Sequence, residues 1–304
     1  MPKKNLTIAI CTFNRAGYLK DTLSDLAVQT ADNNLFEILV INNNSTDQTE
    51  DVCRKFDKKH SELNFCWITE IKQGLSPARN RALKEASADY ILFIDDDVHL
   101  PDFFVQRALN CLTNLPELKA GGGRIFVTFD ETDPDWIPGE LMPMFGLHDL
   151  GDHYRLYPRD NFPRGGNMLI HKQVVDRIGL FDPKLGRSGE IMIGSEEKAF
   201  FERARTNGFS LHYLPELELH HRIGPKRLKH DYLENQSIGI GQSERRRLAG
   251  QPLKLTGKLL SELFKLAGSV LLAAGYLAKG KTKAARFIMI FRVWVLKGFL
   301  SENL

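Results

Sequence analysis

Three consecutive carboxylates, Asp95, Asp96 and Asp97, end an apolar run and could hold a metal ion. The run, residues 90–94, has the length and apolar character of a buried parallel strand. In open α/β sheets, ligands bind just beyond the carboxyl ends of such strands. Hard divalent cations prefer carboxylate oxygens, and only His99 is near enough in sequence to offset the repulsion between the acids. We therefore predict a metal–diphosphate site here, with a plain acidic turn as the alternative.

The elements that must position these acids alternate between strand and helix over the first hundred residues. This alternation predicts an α/β fold with a doubly wound, mostly parallel sheet flanked by helices. The predicted strands are residues 6–11, 36–41, 65–69 and 90–94. The predicted helices are residues 18–27, residues 49–56 and a helix that Ser76 caps and Pro77 opens, ending near residue 86. Polar residues follow the strands, so we expect them to share one edge of the sheet.

Composition and charge exclude several classes of protein. The 304 residues are 42% hydrophobic and 26% charged, which is typical of a globular protein and not of a disordered one. The net charge of +3 argues against a nucleic-acid-binding protein. The four cysteines show no metal or redox spacing, which favours reduced packing residues in a cytosolic protein. Residues 1–4 precede a strand without an apolar signal segment, so we expect the catalytic part to face the cytoplasm.

The C-terminal residues differ in character from the rest of the chain. Residues 245–304 contain twelve Lys and Arg against two Glu, a net charge of about +10, so the preceding part is net acidic. Apolar blocks at helical spacing alternate with these basic residues. The longest uncharged run, residues 266–278, is shorter than the roughly 20 residues that span a bilayer. This pattern predicts either helices on an anionic membrane surface or a helical hairpin packed on the protein.

Four motifs together resemble the family 2 glycosyltransferases of GT-A fold. They are Ile-Ala-Ile-Cys-Thr-Phe-Asn-Arg at 8–15, Val-Ile-Asn-Asn-Asn-Ser-Thr-Asp at 40–47, Gly-Leu-Ser-Pro-Ala-Arg-Asn at 74–80 and Phe-Ile-Asp-Asp-Asp at 93–97. Each is common alone, but their order and spacing are specific. Further matching pieces extend the resemblance from residue 6 to about residue 227. It implies a glycosyltransferase domain over residues 1–235, with a nucleotide half to about residue 100 and an acceptor half after it, followed by a basic amphipathic helical tail over 236–304.

The resemblance also implies roles for individual residues. Asp97 becomes the first metal ligand, with Asp95 beside it and His221 as a third ligand for which His220 is an alternative. The nucleotide-binding residues implied are Thr12, Asn14, Arg15, Asn42, Asn44, Arg79, Asp95 and Asp96. The loop residues implied to contact the acceptor or donor sugar are Gly165, Gly166 and Asn167. A surface position is the alternative for Arg79, whose planar guanidinium suits phosphate.

The catalytic base falls on a pair of acids where this chain departs from the family pattern. The family shows Glu-Asp at the start of a helix, and its second acid is the base, whereas this chain has Glu196 and Glu197. The role is assigned to Glu197, with Glu196 as the alternative and an exposed helix-capping pair as a further one. A second departure is Asn42, which stands where the family has an Asp that accepts a hydrogen bond from a pyrimidine.

The function that the resemblance implies is metal-dependent, inverting transfer of a sugar from a nucleotide-diphosphate donor to a glycan or lipid-linked acceptor. It would serve cell-surface or extracellular polysaccharide synthesis, with Mn²⁺ or Mg²⁺ and with a UDP- or dTDP-sugar favoured over a GDP-sugar. We expect the protein at the inner face of the cell membrane, with peripheral contact through the tail, and leave a homo-oligomer open. One alternative is a nucleotidyltransferase, although residues 12–17 lack a glycine-rich phosphate loop. Another is a non-catalytic nucleotide- or glycan-binding module.

Overall fold

The computed structural model describes residues 4–186 and 194–301. Three of the four residues behind the expectation for the N-terminus, residues 1–3, lie outside the described residues. The chain divides into two compact units. The first comprises Met1–Val127, Gly146–Pro183 and Glu196–Arg222, and the second comprises Thr128–Phe145, Lys184–Ser195 and Ile223–Leu304. No feature of the sequence indicated that residues 128–145 belong with the C-terminal residues. The domain boundary at residue 235 stays a prediction.

A nine-stranded sheet runs in the order β3-β2-β1-β4-β8-β6-β9-β5, with β7 beside β9. The strands are β1 (Leu6–Thr12), β2 (Phe36–Asn42), β3 (Phe65–Thr69), β4 (Tyr90–Ile94), β5 (Val98–His99), β6 (Ala120–Phe129), β7 (Arg155–Leu156), β8 (Asn167–His171) and β9 (Leu211–Ile223). Strands β3, β2, β1 and β4 are parallel, as the sequence predicted. Strand β8 is antiparallel to both β4 and β6. The parallel part therefore holds the predicted polar strand ends.

The α-helices of the described residues flank the sheet or follow it in sequence. They are α1 (Ala16–Ala27), α2 (Thr49–Lys59), α3 (Leu75–Glu85), α4 (Phe104–Asn114), α5 (Lys172–Ile178), α6 (Glu196–Thr206), α7 (His230–Arg247), α8 (Pro252–Ala278) and α9 (Thr282–Leu300). The predicted start of α3 was wrong, because Gly74, not Ser76, is the N-cap residue. Gly74 has φ 130°, a value that glycine adopts without strain. Ser76 is fully buried within the first turn.

Alternate residues along the strands enter two separate hydrophobic cores of the first unit. In β4, Leu92 and Ile94 belong to one core, while Ile91 and Phe93 belong to the other. This is the two-residue period of a strand covered on both faces. The register places Thr12 beside Asn42, and Asn42 beside Thr69, at the carboxyl ends of β1, β2 and β3. The sheet thus gathers these strand ends at one edge, where the site lies.

Candidate functional site

Asp96, the middle acid of the triplet after β4, is tied to the end of β1. Its Oδ2 accepts a hydrogen bond from the Thr12 hydroxyl at 2.7 Å, and its Oδ1 lies 2.8 Å from Arg15 Nη1. The side chain is buried. Burial raises the pKa of Asp96 to about 6, even though the Arg15 charge acts in the opposite direction. Asp96 therefore holds the acidic turn against β1, and the nucleotide contacts predicted for Thr12 and Asp96 stay predictions.

The charge that offsets the acidic turn comes from Arg15 and not from His99. Arg15 forms ion pairs with both Asp96 and Asp97. Burial lowers the pKa of the Arg15 guanidinium, but the two carboxylates outweigh it and raise the pKa above its ordinary value. His99, the partner expected from the sequence, instead lies 3.0 Å from Asp25. Arg15 lies three residues after the end of β1 and 81 positions before Asp96, so no local sequence signal pairs it with the acids.

Asp95, Asp97 and His221 form a cluster that could hold a divalent cation. One ligand atom from each lies within 4.8 Å of the others, close to the roughly 4.2 Å that separates opposite ligands of one Mg²⁺ ion. His221 Nε2 is 3.2 Å from Asp97 Oδ2. Strand pairing brings them together, because β9 places His221 opposite Val98, the residue after Asp97. His220 lies in the neighbouring position, with its ring 5.4 Å from that of Phe126.

Two glycines make room for this cluster. A Cβ atom at Gly146 would come within 2.7 Å of His221 Nδ1, and one at Gly166 within 2.6 Å of Asp95 Oδ2. Gly146 also has φ +103°, which an L side chain rarely adopts. Two carboxylates and an imidazole at this spacing suit a hard or borderline divalent ion. The residues present therefore fit the metal that the resemblance implies.

Glu196 and Glu197, at the start of α6, pair with a buried arginine of α3. Arg79 Nη1 lies 2.8 Å from Glu196 Oε1 and 3.1 Å from Glu197 Oε1. Glu196 and Arg79 are 2% and 3% exposed, while the Glu197 side chain is 20% exposed. Burial lowers the pKa of Arg79, but the charges of Glu197 and Glu196 raise it above its ordinary value. Two alternatives that the sequence left open are thus wrong: that Glu196 and Glu197 are an exposed capping pair, and that Arg79 lies at the surface.

The loop residues Gly165 and Gly166 separate the acid pair from the metal-binding cluster. A Cβ atom at Gly165 would collide with the ends of Arg79 and Glu197, just as one at Gly166 would meet Asp95. Because adjacent Cα atoms are about 3.8 Å apart, the Glu197 and Asp95 carboxylates are at most about 12 Å apart. The two glycines therefore place the candidate base and one candidate metal ligand next to adjacent residues of one short loop.

The contact at Gly165 leads to a mutational prediction. Gly165→Ala should displace the Glu197 carboxylate, because the new methyl group would occupy the space of the Arg79–Glu197 pair. A shift of about 1 Å in a catalytic group costs on the order of 10²-fold in rate. We expect kcat to fall by about that factor in a steady-state assay. Gly17→Ala is the control, since its Cβ would meet nothing within 4 Å. Equal activity of both variants would contradict the assignment.

Asn167, the first residue of β8, connects neighbouring strands. Its Nδ2 donates hydrogen bonds to the backbone carbonyls of Arg124 (3.0 Å) and Leu217 (2.7 Å). A Cβ at Gly123 would lie 2.5 Å from the same Nδ2. The glycines at 121–123 are the sequence signal for this close approach, which the sequence interpretation missed. The sugar contact of Asn167 stays a prediction, as do those of the two loop glycines.

The loops after β1 and β2 bind one another through asparagine side chains. Asn14 and Asn44 adopt positive φ angles of 52° and 60°, a conformation that asparagine tolerates. Asn14 Oδ1 accepts a hydrogen bond from Thr46 N at 2.7 Å. Asn42 Oδ1 accepts one from Ser45 N at 2.9 Å. These residues shape the loops at this edge of the sheet, and their contacts with a nucleotide stay predictions.

Asn43 is a positioning residue that the sequence interpretation missed. Its Nδ2 donates to the carbonyls of Glu70 (3.0 Å) and Lys72 (2.8 Å), and its Oδ1 accepts from Gly74 N at 2.7 Å. The side chain thus ties the end of β2 to the start of α3, the helix that carries Arg79. The run of three asparagines was the available signal, since amide side chains commonly bond nearby backbone groups.

Comparison with known proteins identifies the family. The family model described as "Glycosyl transferase family 2" matches residues 7–179, more than half of the chain. The chain belongs to glycosyl transferase family 2. A curated relative is the glycosyltransferase GlyA of Streptococcus pneumoniae, 28% identical over 156 residues, which is 51% of this chain and 20% of GlyA. The matched region thus spans about a fifth of that relative.

Solved structures show that this member of family 2 has the GT-A fold. The mannosyltransferase PcManGT of Pyrobaculum calidifontis, solved with GDP-Man and Mn²⁺, aligns with a TM-score of 0.64 at 16% identity, over 99% of this chain and 88% of PcManGT. TarS 1–349 of Staphylococcus aureus, solved with UDP, aligns with a TM-score of 0.52 at 16% identity, over 97% of this chain and 89% of that one. The family and the fold predicted from the four motifs are confirmed.

Proposed function

We propose that this family 2 member is a metal-dependent, inverting glycosyltransferase that moves a hexose-type sugar from a nucleotide-diphosphate donor to a glycan or lipid-linked acceptor. One observation carries the proposal. The Asp95–Asp97–His221 cluster and the Glu197 carboxylate flank the loop of Gly165 and Gly166. Sugar transfer needs a cation-binding group for the diphosphate and a base for the acceptor hydroxyl, and both lie within about 12 Å here.

The reaction assigns the proton and the electron pair to named groups. Glu197 takes the proton of the acceptor hydroxyl as its oxygen forms a bond to the anomeric carbon of the donor sugar. The bond from that carbon to the diphosphate oxygen breaks, and the diphosphate leaves with the electron pair. Attack from the side opposite the leaving group inverts the anomeric centre. Arg79 keeps the Glu197 carboxylate in place through the 3.1 Å contact.

Asp97, Asp95 and His221 would hold the cation, and a bound divalent ion supplies charge neutralisation for the diphosphate leaving group. We propose Mn²⁺ or Mg²⁺. The imidazole favours Mn²⁺ of the two, because nitrogen is a softer ligand than carboxylate oxygen. The Mn²⁺ of the PcManGT structure supports the same choice. Arg15 provides a second positive charge at this cluster through its ion pairs with Asp96 and Asp97.

For the donor we propose a UDP- or dTDP-sugar in preference to a GDP-sugar. The structure of TarS with UDP supports a uridine donor, whereas PcManGT was solved with GDP-Man. Asn42 bears on this choice because its amide can both accept and donate a hydrogen bond. The Asn42 side-chain oxygen already accepts a hydrogen bond from the backbone N–H of Ser45.

We further propose that the acceptor belongs to cell-surface or extracellular polysaccharide synthesis, with the catalytic unit in the cytoplasm at the inner face of the membrane. The basic C-terminal residues, with a net charge of about +10 over 245–304, support a location beside anionic lipid.

A transfer assay tests the proposal. The full chain is incubated with Mn²⁺, a panel of UDP-, dTDP- and GDP-sugars and short glycan acceptors, and nucleoside diphosphate release is measured. Proton NMR of the product reports the anomeric configuration. We expect one donor to be consumed in a metal-dependent reaction whose product has the opposite anomeric configuration to the donor. A product of retained configuration would contradict the assignment of Glu197 as base, and release of the sugar 1-phosphate would indicate nucleotidyl transfer instead.

A further inference from the structure

Helix α9, although apolar, is a packing helix of the second unit. It crosses α7 closely at two glycines: a Cβ at Gly241 would collide with the Val295 carbonyl, and one at Gly298 with the Ile238 carbonyl. The apolar side chains of α9 are largely buried; they include Phe287, Ile288, Phe291, Val295 and Phe299. Packing in a helical hairpin, one of the two alternatives that the sequence left open, therefore explains why α9 is apolar. It does not explain the apolar side chains of α8.

Helix α8 presents its apolar side chains outward. Leu253, Leu260, Phe264 and Leu271 are 89%, 62%, 82% and 77% exposed. Their spacings of seven, four and seven residues place them on one line along a helix of 3.6 residues per turn. Eight of the sixteen exposed large hydrophobic side chains in the described part of the chain lie on this helix. A surface helix of a soluble protein normally shows the opposite arrangement.

The acidic residue of α8, Glu262, faces inward. Glu262 is 5% exposed and pairs with Lys265 at 2.8 Å and Lys258 at 3.1 Å, with Arg292 of α9 at 3.9 Å. Lys258 also lies 3.3 Å from Glu244 of α7. Buried charges are tolerated because they are paired with one another. The ion pairs with α7 and α9 therefore fix the orientation of α8, and the outward line of apolar side chains follows from that orientation.

The charges around this face select an anionic partner. Residues 252–301 contain nine Lys and Arg and a single acid, the buried Glu262. Exposed basic residues lie near both ends of α8, with Lys254 at one end and Lys279, Lys281 and Lys283 at the other. A second copy packed on the same face in a two-fold arrangement would bring these basic ends together. Anionic lipid headgroups would neutralise these basic ends, while the acyl chains would bury the line of apolar side chains.

We propose that α8 docks the protein on an anionic bilayer, with its axis along the surface and Leu253, Leu260, Phe264 and Leu271 among the acyl chains. By length and composition α8 is the one helix among the described residues that could cross a membrane. The buried, ion-paired Glu262 and the packing of α8 against α9 make it an interfacial helix instead. This inference refines the location given in the proposed function and does not depend on catalysis.

Vesicle co-sedimentation of the full chain tests the proposal. The vesicles are phosphatidylcholine with or without phosphatidylglycerol. We expect the wild type to sediment with the anionic vesicles and to be released by high salt. The triple variant Leu260→Gln, Phe264→Gln, Leu271→Gln should bind at least about tenfold more weakly, because each change removes a side chain that the bilayer would bury. Replacing Lys279, Lys281 and Lys283 by Gln should weaken binding only to anionic vesicles, by about fivefold for each charge.

The matched control carries Val28→Gln and Ile71→Gln, which alter exposed apolar side chains outside the tail and should bind like the wild type. Calorimetric nucleotide binding, measured on all variants, separates this proposal from the catalytic one, since it should not change. Equal sedimentation of the triple variant and the wild type would overturn the proposal. So would a solution dimer, measured by light scattering, that the triple variant converts to a monomer without any vesicle binding by the wild type.

Discussion

Asp97→Ala is expected to abolish sugar transfer and metal-dependent donor binding while the protein stays folded. Asp97 is 1% exposed and lies 3.2 Å from His221 in the candidate metal cluster. Losing a ligand that holds the diphosphate-bound cation removes several kcal/mol of transition-state stabilisation, a rate loss of about 10³-fold or more. The measurement is the turnover number with saturating donor and Mn²⁺. The fold should survive because Arg15 keeps its 2.8 Å pair with Asp96.

Two variants make this prediction specific. Asp97→Asn keeps the shape of the side chain and should lose activity almost as completely, because a neutral amide is a poorer ligand for a hard cation. Asp25→Ala removes an acid that lies beside His99 and outside the cluster, and should retain activity. Thermal unfolding of each variant reports whether the fold is intact. A folded Asp97→Ala protein with full activity would contradict the proposed metal site.

Glu197→Gln is expected to leave donor affinity unchanged and to reduce kcat by about 10²-fold or more, as loss of a general base does. The amide keeps the size of the side chain, so the loop at Gly165 has no reason to move. Arg79 retains its 2.8 Å partner Glu196, so its buried charge stays compensated. Steady-state kinetics separate the effects: kcat should fall, whereas the dissociation constant of the nucleotide should not change.

Glu196→Gln is the matched control for this prediction. Glu196 is 2% exposed, against 20% for the Glu197 side chain, so Glu197 is the acid that an acceptor hydroxyl can reach. We expect Glu196→Gln to lower the stability of the folded state through the loss of a buried ion pair and to reduce kcat by less than about tenfold. The reverse ranking of the two variants would transfer the role of base to Glu196.

The parallel part of the fold was predictable because its signals are local. Continuous apolar runs predicted β1 to β4, and residues 65–69 and 90–94 match their strands at both ends. The start of α3 was wrong because Ser76 looks like a cap in sequence, whereas the positive φ of Gly74 decides the boundary. The antiparallel pairings of β8 with β4 and β6, and of β9 with β5, were not predicted, since they join segments that are far apart in the chain.

The site was predictable in its residue types and not in its pairings. The acids after β4 and at the start of α6 stand out in sequence, but their partners Arg15 and Arg79 come from other elements. Arg79 and Glu196 are separated by 117 positions in the chain, so no spacing rule relates them. His221 could not be separated from His220 until the pairing of β9 with β5 placed one of them beside Asp97.

The most direct test of the metal-dependent donor site is calorimetry of UDP, dTDP and GDP binding to the wild type and to Asp97→Ala, each with and without Mn²⁺. We expect one of the three nucleotides to bind the wild type at least about tenfold more tightly with Mn²⁺, a difference of roughly 1.4 kcal/mol. The variant should lose this gain. Nucleotide binding that is independent of Mn²⁺ and unchanged by Asp97→Ala, or no binding of any nucleotide, would contradict the account.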